Sequence, residues 1–214
     1  MPTRHTIGRI IRAIDSDSLV YCFVAWSNTL RDKSKREHIT FDGKVIRGSK
    51  HGENLNALQF MTAMVVDNNL VIYQEETDCK TNEIPVMQSI LKNLDVKNAV
   101  ITADAMHCQK KTAKIIHEAG ADYVLQIKEN QKSLLKESKY YFHKARRDTP
   151  LLVNRFNELD GGHGRINERS YSILMLSERA NKACEWTSEK AVVEVIRIRE
   201  IKGKKSTLGF RCYI

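Results

Sequence analysis

Isoleucines at positions 7, 10, 11 and 14 recur at the i, i+3, i+4, i+7 spacing of one helix face. Asp15-Ser16-Asp17 then breaks the pattern and caps a second helix carrying Leu19, Phe23, Val24, Ser27 and Leu30. A charged linker, Arg31 to Arg36, follows. The period then changes. His38–Ile46, Ala57–Val66 and Leu70–Glu76 read as strands, and Asp67-Asn68-Asn69 between the last two is a hairpin turn. Asn82 can cap a helix with Ile84, Met87, Ile90, Leu91 and Leu94 on one side; Pro85 is tolerated in its first turn. Ala99–Ala103 is a short β-branched strand. Gln109–Ala119 is helical, with Gly120 at the position that favours a left-handed backbone. Asp122–Lys128 is another strand, and Gln131–Ala145 an amphipathic helix with Leu134, Leu135, Tyr141, Phe142 and Ala145 on one side.

Three antiparallel strands followed by α/β crossovers predict an α/β fold, a mixed sheet with helices on its faces. After Pro150 the pattern is β-rich. Asp160-Gly161-Gly162-His163-Gly164 reads as a loop, Arg169–Leu176 and Val192–Lys202 as strands, and Phe210–Ile214 as the start of another. The chain therefore divides into a helical segment (1–36), an α/β core (37–150) and a β-rich extension (151–214).

Composition adds limits. The 214 residues are 42% hydrophobic and 29% charged, as in a soluble globular protein. No apolar run approaches the ~20 residues needed to cross a bilayer, and no signal-type segment follows the N-terminus. The expectation is a cytoplasmic protein with no membrane partner. The five cysteines are scattered and form no C-x-x-C pair, which argues for reduced, mostly buried thiols over a zinc site. The net charge is +9, and it is uneven: residues 51–105 are acidic, with basic stretches on both sides. A basic chain around an acidic centre suits a polyanion such as DNA, although lysine-rich helix faces are also simply solvated.

Two aspartates carry the candidate chemistry. Asp42 ends the run His38-Ile39-Thr40-Phe41, and Asp104 ends Ala99–Ala103. A strand that ends in a carboxylate presents it at the sheet edge, and two such groups are the minimum for holding a hard cation such as Mg²⁺. Asp before Gly is equally at home in a turn. Lys44 and Arg47, Gln109 and Lys110 at a helix start, Lys128, Asn130 and Gln131 after a strand, and Arg165 are candidate DNA contacts. Asn130 can instead be a plain helix cap. His163, between glycines, is read as a loop residue orienting its hairpin.

At these residues the chain resembles bacterial insertion-sequence transposases with a DDE triad, in the branch of the H-repeat-associated proteins. The matching stretches are Asp42–Ser49, Lys80–Ile84, Asp104–Gln109, Tyr123–Gln131 and Gly162–Ile166, in family order. The resemblance implies an RNase H-like core over 37–150, with Asp42 and Asp104 as catalytic metal ligands on its first and fourth strands. It implies a two-metal site for Mg (or Mn), with DNA, both element ends and target, as partner, an assembly of copies on DNA, and association with the nucleoid. The family's third acid is a glutamate on a later helix. Ile214 comes before such a helix, so the expected reading is a fragment short at both ends and inactive alone. Asn167 stands where the family has an acid, with Glu168 beside it. Two rivals remain: a DNA-binding remnant without catalysis, and a nuclease of the same fold that recruits Glu168 or Glu83 as third carboxylate.

Overall fold

The hydrophobic periods translate into helices and strands that a computed structural model describes for residues 2–49, 57–77, 83–162, 165–176, 186, 190–201 and 204–214. Asn82, His163, Cys79 and Cys184 lie outside the described residues. The fold is α/β. The chain divides into two compact units, Met1–Val100 and Ile101–Ile214.

The first unit begins with α1 (Arg4–Ala13), where the Thr3 side chain accepts a bond from the Thr6 amide. Asp15 caps α2 (Ser16–Thr29) in the same way, accepting from the Ser18 amide at 2.9 Å. The isoleucine stripe of α1 is regular, but no residue of that helix is buried. Three antiparallel strands follow: β1 (His38–Val45), β2 (Gln59–Val65) and β3 (Leu70–Thr77), with β2 in the middle. The β2–β3 turn is made by Asn69, whose φ of 53° is left-handed, and by Asn68, whose side chain accepts from the Leu70 amide. α3 (Glu83–Asn93) buries Val86, Met87, Ile90 and Leu91 and packs against β2 and β3. Ile39, Phe41, Met61 and Ile72 of the three strands are almost fully buried. Each such side chain contributes ~1.5–3 kcal/mol of transfer free energy.

The segment between α2 and β1 is more than a charged linker. Arg31 and Glu37 are both buried and form an ion pair at 2.6 Å, with Asn28 accepting a further guanidinium bond. That pair fixes the path of the chain into β1.

The second unit is a sheet with strand order β4-β5-β9-β8-β7-β6. β4 is Val100–Ala103, its first residue belonging to the other unit, and β5 is Asp122–Ile127. β6 (Val153–Gly162), β7 (Arg165–Met175), β8 (Ala191–Ile201) and β9 (Lys204–Tyr213) form an antiparallel meander whose last strand pairs with β5. α4 (Lys110–Glu118) and α5 (Lys132–Asp148) supply the buried helix faces. Gly120, with φ 74°, ends the first of them as its position predicts. Leu125, Ile127, Leu134 and Cys212 share one core cluster; Phe142, Ala145, Val153 and Val192 share a second. Cys108 and Cys212 are buried and Cys22 is exposed.

Two differences from the sequence reading stand out. β6 is a strand that hydrophobic pattern does not reveal, because every residue after Val153 is exposed. Its ladder with β7 also runs on through Gly161 and Gly162, so Asp160, Gly161 and Gly162 are strand where a loop is expected.

Candidate functional site

In the first unit the site residue is Asp42. It lies in β1 opposite Thr62, exposed, and its carboxylate makes no hydrogen bond or ion pair among the described residues. Strand alternation puts it on the same side as Lys44, away from buried Phe41. Arg47 is exposed just beyond the strand. Gly43 points the other way, toward α3. A Cβ there would lie 2.6 Å from both carboxylate oxygens of Glu83, so glycine leaves the space in which that carboxylate rests against the strand.

In the second unit the site residue is Asp104. β4 ends there, and Asp104 begins a short 3-10 turn, Ala105–His107, whose last amide donates to the Asp104 carbonyl at 2.9 Å. Its exposed carboxylate makes no side-chain cap bond. His107 is buried; burial pushes its imidazole pKa down, and the Asp104 charge opposes that shift. Asp104 opens onto a cavity of about 690 Å³ lined also by Lys128, Glu129, Asn130, Lys139 and Arg211. Three cations to two acids give the cavity a positive balance that favours an anionic occupant.

Asn130 and Gln131 reach this turn. The Asn130 amide donates to the Ala105 carbonyl at 2.8 Å, and that of Gln131 to the Cys108 carbonyl at 3.0 Å. Gln131 also donates to the Gln109 side chain, whose own amide donates to the Met106 carbonyl. The end of β5 and the turn after β4 are thus tied into one piece under Asp104. Lys110 is exposed on the first turn of α4. Arg165 opens β7 opposite Gly162, and neither it nor Glu168 lines the cavity.

Lys139 and Arg211 are cavity residues that sequence reasoning does not single out. The signal for Lys139 is its spacing. It is four residues after Leu135 and three before Phe142, so a lysine occupies the apolar side of α5. Among the described residues no group of three or more His, Cys, Asp or Glu side chains is placed to hold a metal ion. Among the same residues no helix is long and apolar enough to cross a membrane.

Comparison with known proteins completes the description. The family model for the transposase DDE domain matches residues 8–200. The chain is 32% identical over its whole length to a protein of Escherichia coli O157:H7 named "Putative transposase YncI", of which it covers 56%. It is 29% identical, again over its whole length, to "H repeat-associated putative transposase YhhI" of Escherichia coli strain K12, covering 58% of it. The chain therefore spans little more than half the length of these curated relatives. Among solved structures, a piggyBac transposase synaptic complex with hairpin DNA aligns with 73% of this chain and 32% of that one. Identity there is 14% and the TM-score 0.38, a degree of likeness that carries no structural inference.

Proposed function

This chain belongs to the transposase DDE-domain family, and from that premise we propose that it acts on DNA by cation-dependent phosphoryl transfer, with Asp42 and Asp104 as metal-ligating carboxylates. The observation that carries the reading is the cavity beside Asp104, where Lys128, Lys139 and Arg211 surround an exposed carboxylate. Cations around an acid are what a phosphodiester and its metal need together. The donor chemistry suits Mg²⁺ or Mn²⁺. Both aspartates offer hard carboxylate oxygens, Asp42 makes no ion pair among the described residues, and Asp104 leaves its side chain uncapped. A two-metal centre would polarise the phosphodiester and activate the attacking hydroxyl.

The protein's own part is positioning. Lys128, Lys139 and Arg211 hold the phosphate charge against Asp104, while Asn130 and Gln131 keep the Asp104 turn from moving. In this reading residues 37–150 are an RNase H-like core, 1–36 a helical segment and 151–214 a β-rich extension. The order β1-β2-β3-α3-β4-α4-β5-α5 supports it. Lys44, Arg47, Gln109, Lys110 and Arg165 are proposed DNA contacts, and copies are proposed to assemble on DNA. Two carboxylates leave most of a cation's coordination sphere to water and DNA, so the 214-residue chain is expected to cleave slowly on its own.

A second reading is a nuclease that recruits a different third carboxylate; Glu83 rests against Gly43, on the side of β1 opposite the Asp42 side chain, which speaks against Glu83 in that part. A strand-cleavage assay with Mg²⁺ or Mn²⁺, on DNA carrying the element's ends, tests both. Metal-dependent cleavage that Asp42→Ala and Asp104→Ala each reduce by ~10²-fold or more supports the first reading. An equal loss in Glu83→Gln supports the second. Cleavage indifferent to both aspartates defeats the catalytic assignment. Salt-sensitive binding without any cleavage leaves a DNA-binding protein.

A further inference from the structure

The sheet of the second unit has two unlike faces. α5 covers one, with Phe142 and Ala145 packed on Val153, Leu174 and Val192, and Arg146 paired with buried Glu194. Alternation along the strands turns Arg169 and Tyr171 of β7, Val195 and Arg197 of β8, and Arg211 and Tyr213 of β9 to the opposite face. There they line a groove of about 450 Å³.

Three features of the groove point to one kind of occupant. In register, Arg169 lies directly opposite Arg197. Like charges so placed destabilise a strand pair, and a sheet that keeps them holds cationic charge for something outside the pair. Arg169 is partly answered by Glu158 at 3.1 Å, whereas Arg197 and Arg211 make no ion pair among the described residues. The floor between the guanidiniums is apolar. Val195 is buried, with Tyr171 opposite it on one side and Arg211 on the other. Guanidiniums take phosphate oxygens, and tyrosine rings beside an apolar floor take the flat faces of bases. A duplex keeps its bases stacked inside and would leave the floor and rings unused. Arg211 also lines the cavity beside Asp104, so the two recesses adjoin.

We infer that the open face of β7, β8 and β9 is a track for single-stranded DNA, taking the unpaired stretch of a strand whose phosphodiester lies in the cavity at Asp104. The inference rests on the reading of the chain as a DNA-acting protein and adds where, and in what form, DNA is held. Arg197 and Arg211 bind phosphates of the strand, and Tyr171 and Tyr213 stack its bases.

The test is fluorescence anisotropy of the full chain at low salt with a labelled oligothymidylate and with a blunt duplex of equal length. The single strand is expected to bind more tightly. Arg197→Glu should weaken it about tenfold or more, and Arg197→Gln should reduce the slope of log K against log salt by about 0.7. Tyr171→Leu should cost about fivefold or more on the single strand and spare the duplex. Circular dichroism confirms that each variant is folded. Lys144→Glu, on the exposed side of α5, controls for net charge and should cost less than Arg197→Glu. Folded Arg197→Glu and Tyr171→Leu both within about twofold of wild type would overturn the inference. So would a Lys144→Glu loss as large as that of Arg197→Glu, or a duplex that binds as tightly as the single strand. Cleavage indifferent to the aspartates, with face-dependent binding intact, would defeat the catalytic reading alone; the reverse pattern would defeat this inference alone.

Discussion

His107 sits three residues after Asp104, almost fully buried, and its burial has a measurable sign. Its pKa in the fold is depressed from the ordinary 6.5, mainly by desolvation and against the pull of the Asp104 charge. The unfolded chain therefore binds the proton more readily than the fold does. Stability is fully present above the unfolded pKa and falls as pH drops through about 6.5 and below, toward the folded value. The urea midpoint should decline between pH 7.5 and 5.5 and decline less in His107→Asn. At this scale the sequence was partly legible. Asp42 and Asp104 each follow a short apolar run, a local pattern, but only Asp104 follows the end of its strand; β1 continues past Asp42 to Val45. Lys139 and Arg211 are not legible, because they reach one cavity from positions far apart in the chain. Asn130 was open to two readings, DNA contact and helix cap. Its side chain donates to the Ala105 carbonyl, a partner no spacing rule could name.

Elements were legible where they bury a face. β1, β2, β3, α3, α4 and α5 alternate or repeat against a core, and their residues carry that period. β6 has no such face. Asn154, Arg155, Asn157 and Glu158 are exposed, and only its ladder with β7 defines the strand. The start of β9, Lys204-Lys205-Ser206-Thr207, was hidden for the same reason: its residues are polar, and register with β8 sets the strand. The segment from Arg31 to Arg36 reads as a charged linker, yet Arg31 is buried with Glu37. Removing one partner strands the other's charge. Glu37→Ala should therefore cost ~3–5 kcal/mol, toward the lower figure because Asn28 still accepts from the guanidinium. Arg31→Met with Glu37→Leu should recover most of that loss, and urea unfolding of the single and double variants reads the difference.

For the whole chain, the +9 net charge makes association with a polyanion a matter of counterion release. Duplex DNA should bind with Kd around 10⁻⁴–10⁻⁶ M near physiological salt, and log K should fall linearly with log salt. Filter binding across a salt series checks this, and a flat response would remove DNA as the partner. The family was legible from five short motifs in order, and the family model bears it out over residues 8–200. The boundary between the two compact units at Val100 falls on the first residue of β4, where no turn or linker signal marks it. The sheet of the second unit ends on β6, whose residues from Asn154 to Gly162 are all exposed. Its outward row of amides and carbonyls is a template on which a stray chain could add another strand. Charges at Arg155, Glu158 and Asp160 along that rim work as gatekeepers, since a newcomer must bury them or repel them. Shelf life in concentrated solution is then governed by this polar ribbon, and making it more hydrophobic would trade solubility for amyloid-like stacking.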